Sequence, residues 1–153
     1  MWADPLVVRH ISGKPSSREE SWSRLMRYAG QWQLLGFGYW AARDKETGRF
    51  IGDIGLADFR RDITPTLEDA PEAGWVLAPW AQGRGFATEA VRGVLSFHER
   101  YFHTPRTVCM IAPENTASLR VAAKCGYKEF AQTLYRGEAV ILFERVQARG
   151  EKK

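Results

Sequence analysis

The segment from Glu72 to Ala112 constrains this chain more than any other. It opens with a strand-like run, "EAGWVLA", stopped by Pro79, and continues through a glycine-bearing loop, "QGRG". From Phe86 to Phe102, Ala87, Ala90, Val91, Val94, Leu95 and His98 recur at helical spacing and mark one face. A second apolar run, "RTVCMIA", then ends at Pro113. Strand, helix and strand in that order join two parallel strands by a right-handed crossover. A chain carrying this unit is built on a sheet that is at least partly parallel, with a helix across its face.

The flanks supply the rest of the sheet. "SREE" at 17–20 fits a capping box, in which Ser17 and Glu20 satisfy each other's backbone N–H. Trp22, Leu25, Met26, Ala29, Trp32 and Gln33 follow at steps of three and four, so a helix, or a broken pair, is expected up to Gly36. "FGYWAAR" and "RFIGDIGLADF" around "DKETG" read as a hairpin, and the polar residues 60–71, with two prolines, as a loop. Asn115 caps a helix that runs to about Cys125 and stops at Gly126. "FAQTLYRGEAVILFERV" reads as two strands turning at Arg136 and Gly137. The expected order is helix, three strands, helix, strand, helix, two strands. The fold class is mixed α/β, with antiparallel flanks around a parallel pair.

Composition narrows the function classes. The 153 residues suit one domain spanning 1–153, with a basic tail at 147–153. No apolar run approaches the roughly 20 residues of a membrane span, and "MWADPLVVRH" is no signal peptide, so a cytoplasmic protein without a membrane partner is expected. Cys109 and Cys125 show no metal-ligand spacing; reduced thiols and no metal are expected. The net charge is +4, but the only dense basic patch is the tail. No basic stripe interleaves with aromatics, so nucleic acid is not an expected partner, while an anionic, nucleotide-bearing ligand is compatible.

The glycine loop is the chemical signal. A helix N-terminus presents unpaired N–H groups and partial positive charge, and glycines before it let a phosphate approach the main chain. Gln82, Gly83, Arg84, Gly85, Phe86, Ala87 and Thr88 could wrap a pyrophosphate in this way, with Arg84 adding charge. The loop lacks the lysine and spacing of a Walker sequence and the third glycine of the dinucleotide fingerprint. By itself it reads more simply as an ordinary strand-to-helix turn that is glycine-rich.

Taken with what surrounds it, the loop resembles the GNAT superfamily of acyl-CoA-dependent N-acetyltransferases. The pyrophosphate signature Q/R-x-x-G-x-G/A is met by Gln82, Gly85 and Ala87. The branch of ribosomal-protein alanine and spermidine N-acetyltransferases is similar in two further motifs. These are E-x-G-[YW], here Glu72, Gly74 and Trp75, and N-x-x-S, here Asn115 and Ser118. The resemblance covers roughly residues 37–146 and implies a twisted mixed sheet whose two central parallel strands splay. It implies acetyl-CoA as co-substrate and no metal. The pantetheine arm would lie in the splay against backbone groups of Val76 and Leu77, with Asn115 bonding it and residues 82–88 holding the pyrophosphate.

Acyl transfer to an amine needs a base for the amine, stabilisation of the oxyanion and an acid for the thiolate. Glu72, opening the strand that borders the thioester, is the candidate base; a solvated strand-end glutamate is the alternative. Glu89 falls in the first helical turn, where the dipole accounts for it. Many family members carry a tyrosine seven residues after the asparagine, but that position here is Ala122. In this branch the resemblance implies Ser118 as acid; a capping hydrogen bond is its alternative. Tyr127, His98 and His103 read as packing residues, and Trp22, Trp32 and Trp40 as candidates for an acceptor pocket. By comparison with the branch, its first strand and first helix are expected to be missing here, which a homodimer, strand exchange or a mis-assigned start would each account for. The expected function is N-acetylation of a primary amine, on a protein N-terminus, a polyamine or another small molecule. The alternative is a CoA-binding, dimer-forming module without turnover.

Overall fold

A computed structural model describes residues 1–68, 70–102 and 104–147. His103 and the tail from 148 onward lie outside the described residues. Two helices, α1 (Pro5–Val8) and α2 (Arg18–Leu35), precede β1 (Tyr39–Arg43), β2 (Phe50–Ala57) and β3 (Glu72–Leu77). A 3₁₀ turn, Pro79–Ala81, leads into α3 (Phe86–Tyr101), followed by β4 (Arg106–Ile111), α4 (Thr116–Lys124), β5 (Lys128–Tyr135) and β6 (Glu138–Val146). The helix–strand order matches the sequence reading. The additions are α1, nucleated by Asp4 accepting from Leu6 N–H with Pro5 in the first turn, and the 3₁₀ turn.

The six strands form one sheet in the order β1-β2-β3-β4-β6-β5, all neighbours antiparallel except β3 and β4. One face carries α3 and α4 over a core of Ile54, Leu56, Leu77, Val91, Leu95 and Cys109. On the other face, the loop between β2 and β3 lays Leu67 and Ala70 over Val108, Val140 and Leu142. The edge strand β1 is short, and the Trp32 indole N–H caps its Tyr39 carbonyl at 2.9 Å. Both features limit edge-to-edge pairing.

The capping box at Ser17 and Glu20 is present, and Gly36 ends α2 in the left-handed conformation at φ 73°. The direction α2 faces was not legible. Trp22, Leu25 and Met26 are 61%, 52% and 46% exposed, whereas Gln31 is buried and Arg24 and Tyr28 are half-buried. Trp32 and Trp40 pack edge-to-face at 4.6 Å and both meet Phe97, so these two tryptophans build structure rather than an acceptor pocket. Trp22 is on the surface.

His98 lies in the core on α3, 1% exposed, stacked on Phe102 with its Nε2 unpartnered among the described residues. Burial lowers its pKa from the usual histidine value, opposed by the Glu99 charge. The unfolded chain therefore binds this proton more readily than the native one, and stability is lost as pH falls below roughly 6.5. The melting temperature should fall between about pH 7.5 and pH 5.5, and His98→Phe should flatten that fall. An unchanged slope in thermal melts would place the effect elsewhere.

Candidate active site

The parallel pair at the sheet centre is joined by a single residue pair, Glu72 with Val108, and by Val108 N–H donating to the Pro71 carbonyl at 3.0 Å. Past that point the strands part. Each is held instead by its outer neighbour: β3 by β2 over six residue pairs, β4 by β6 over six. The side of β3 from Trp75 to Leu77 that would face β4 is left open.

Strand alternation says which backbone groups line the opening. Ala78 N–H donates to Ile51 of β2 at 2.8 Å, while the Pro71 carbonyl serves β4. Even-numbered residues of β3 thus bond β2, and odd-numbered ones face the gap. Val76 was expected to offer its main chain there, but its N–H and carbonyl are turned to β2. Trp75 and Leu77 face the gap, and the Leu77 carbonyl already accepts from Gln82 Nε2 at 3.1 Å.

Gln82 thereby ties the loop to the strand end. Gly83 and Gly85 sit at φ 73° and 85°, left-handed values that favour glycine, and a Cβ at either would meet nothing within 4 Å. The first intrahelical bond of α3 runs from Glu89 N–H to Gly85, so the N–H groups of Phe86, Ala87 and Thr88 have no helical partner. Open space and unpaired donors fit a pyrophosphate. Arg84 and Arg49 lie 5.4 Å and 4.2 Å from the Trp80 ring centre, placing two guanidinium groups at the rim. Glu89 is exposed in the first turn, in keeping with its helix-terminal reading.

Glu72 and Ser118 flank the gap from opposite faces. Glu72 is 8% exposed, not a solvated strand end, and its oxygens accept from Arg61 Nε at 2.6 Å and Nη2 at 2.7 Å. Arg61, not singled out in the sequence, comes from the loop over that face and packs against Phe59 and Tyr135. Its only sequence signal was a charged residue in a polar loop. On the face of α3 and α4, the Trp75 indole N–H donates to Ser118 Oγ at 3.2 Å. Asn115 Oδ1 accepts from Ser118 N–H at 3.1 Å and caps α4. The Ser118 hydroxyl is therefore held as an acceptor, with its own proton available to donate. Ala122 is fully buried, and Tyr127 bonds Thr107 at 3.0 Å in the core.

Gly74 has a steric reason. It is not among the positive-φ glycines, but a Cβ there would collide with the Tyr39 hydroxyl. Tyr39 cannot easily swing away, because its ring stacks on Tyr28 at 4.8 Å and 2°. Burial raises the pKa of both tyrosines, so they stay protonated at neutral pH. Gly74→Ala should cost about 1–3 kcal/mol by overpacking, and Tyr39→Phe in the same chain should recover part of it. Additive losses in a denaturation cycle would mean the two positions do not meet.

Among the described residues no group of three or more His, Cys, Asp or Glu is placed to hold a metal, and no helix is long and apolar enough to cross a membrane. The acetyltransferase (GNAT) domain profile matches residues 1–128. The uncharacterised protein YkkB of Bacillus subtilis is 31% identical over 150 residues, spanning 95% of this chain and 81% of that one. A putative GnaT-family acetyltransferase from Bordetella pertussis superposes with a TM-score of 0.82 at 30% identity, over 92% of this chain and 86% of its own. The spermidine N-acetyltransferase of Vibrio cholerae, solved with CoA and spermine, shares the fold with a TM-score of 0.71 at 17% identity, over 95% and 85% of the two chains. A glycine loop feeding a helix beside two parting parallel strands, under a profile that takes in most of the sequence, leaves one conclusion: this chain is an acyltransferase belonging to the GNAT acetyltransferase family.

Proposed function

We propose that the protein is an acetyl-CoA-dependent N-acetyltransferase that transfers to a primary amine by direct attack on the thioester. The observation that carries this reading is the gap between β3 and β4, roofed by the glycine loop and flanked by a carboxylate on one face and a hydroxyl on the other. Family membership favours turnover over a module that only binds CoA.

Acetyl-CoA supplies an acyl group already activated as a thioester. Residues 82–88 hold the pyrophosphate through N–H groups and Arg84, the gap-facing main chain of Trp75 and Leu77 lies along the pantetheine arm, and Asn115 Nδ2 is left to donate to it. Glu72 takes the proton lost by the attacking amine, directly or through a water, using lone pairs not engaged by Arg61. Ser118, kept in place by Trp75 and the α4 cap, passes a proton to the departing thiolate and is replenished from solvent. Placing base and acid on opposite sides of β3 lets the amine enter from one face while the thiol leaves toward the other.

Two measurements test this. With acetyl-CoA at about 100 times its dissociation constant, the folded state gains about 2.7 kcal/mol. That gain is a rise of roughly 5 to 10 °C in melting temperature for a chain of this size, and Gly85→Glu should abolish it. Glu72→Gln should cut kcat by about 10²–10⁴-fold while the acetyl-CoA-dependent rise persists. Equal turnover by wild type and Glu72→Gln would remove Glu72 from the chemistry.

A further inference from the structure

Tyr39 of β1, Gly55 of β2 and Gly74 of β3 form a row across three strands of the sheet. Residues paired in this way point to one face, and the tyrosine reaches from the edge strand across β2 to β3. Neither glycine is among those with positive φ. At Gly55 a Cβ would strike the Gly38 carbonyl and the Tyr39 Cα, and at Gly74 it would strike the Tyr39 hydroxyl itself. A glycine inside a strand weakens it and marks a place where something approaches closely. At Gly74 that something is a side-chain hydroxyl. Of the E-x-G-[YW] residues, Glu72 and Trp75 already have roles in the proposed chemistry, and Gly74 adds a third by admitting this group.

The hydroxyl stands at an opening. β3 is central in the sheet, yet Gly74, Trp75 and Val76 are only half-buried, between buried Ala73 and buried Leu77. Tyr39 bonds Trp32 through its main-chain carbonyl, but its Oη makes no hydrogen bond among the described residues. Nor is it sealed away, for the unpartnered polar atoms closed off from solvent are Gln31 Oε1 and His98 Nε2. It shares a face with Glu72, two residues before Gly74, and lies one residue from Trp75, whose main chain faces the gap. The stack on Tyr28 holds the ring, and burial together with the Glu72 charge keeps the phenol protonated. A rigid, neutral hydroxyl without a protein partner, beside the candidate base, is left to bond water or a ligand.

We propose that Tyr39 is a further catalytic residue, whose hydroxyl accepts a hydrogen bond from the attacking amine and aims the nitrogen lone pair at the thioester. A neutral primary amine carries a pair of N–H groups. One points to Glu72 and gives up its proton there as the C–N bond forms. The other rests on Tyr39 and remains in the amide product. The C–S bond breaks toward Ser118, and Tyr39 neither gains nor loses a proton. A secondary amine has a single N–H for the same acceptors, and its extra carbon falls against the phenol. This rests on the acetyltransfer reading above and deepens it, by naming the group that selects primary amines.

Thiol release from acetyl-CoA by the full chain is followed with phenethylamine, with spermine and with a short peptide beginning with alanine. Each is compared with the analogue whose terminal primary amines are N-methylated. For the fastest acceptor, the primary amine should exceed its N-methyl analogue in kcat/KM by about tenfold or more, the scale of one substrate hydrogen bond. Tyr39→Phe should lower kcat on the primary amine by about tenfold and cut that ratio to about two. The acetyl-CoA-dependent rise in melting temperature should be unchanged in this variant. Gly74→Ala, which keeps the phenol but displaces it from β3, should lower the ratio as well; should it fail to fold, Tyr39→Phe alone decides. A ratio unmoved in Tyr39→Phe, or a wild type without preference for the primary amine, overturns the inference and leaves acetyltransfer standing. Silence toward every amine beside a normal acetyl-CoA melt overturns amine transfer and the inference with it. A wild-type melt indifferent to acetyl-CoA would sink the cofactor site too.

Discussion

Two parallel strands at the middle of the sheet touch at Glu72 and Val108 and then diverge, and the proposed acetyl-CoA site hangs on that divergence. Parallel neighbours normally zip along their whole overlap, because unpaired backbone groups away from water are costly. Here each strand has a complete antiparallel partner on its outer side, so opening the middle leaves the sheet intact. The unpaired main chain becomes a surface that an extended, amide-bearing ligand can complete. Arg61 anchors the closed end by holding both oxygens of Glu72, and Gln82 anchors the open end by bonding Leu77.

The Arg61–Glu72 pair does two jobs at once. Burying two charges is tolerable only when each is hydrogen-bonded to the other in good geometry, and the two-point contact at 2.6 and 2.7 Å supplies that. It also fixes the rotamer of the carboxylate at the mouth of the gap, where a free glutamate would point to water. Removing either partner would strand a buried charge, so the loop between β2 and β3 is as much a part of the proposed site as the strands are. The same loop seals the second core through Leu67 and Ala70. Folding of that face and assembly of the site are therefore coupled.

Much of this was legible in the residues. The crossover unit, the capping box at Ser17, the stop at Gly36 and the hairpin turn at Arg136 and Gly137 are set by local rules, and the structure follows them. The glycine loop and the Ser118 and Asn115 pair were visible as motifs. What was not legible depends on neighbours. Periodicity finds the Trp22, Leu25 and Met26 stripe on α2 but cannot say whether that stripe faces the sheet. Arg24, Tyr28, Gln31 and Trp32 take the inner side of α2, and the stripe turns outward. Whether Val76 or Trp75 opens to the gap depends on which strand lies on each side, a tertiary fact. Arg61 meets Glu72 eleven positions away across an irregular loop, and no spacing rule reaches that far.

The account's central claim, that the parted strands and the glycine loop together form the acetyl-CoA site, is tested most directly by residue-resolved amide hydrogen exchange with and without the ligand. Binding should slow exchange at Leu77 and along Arg84–Thr88, whose N–H groups face the gap or the helix terminus. Val76, already paired to β2, should exchange slowly in both states and change little. Slowing confined to other parts of the chain, or at Val76 but not Leu77, would contradict it.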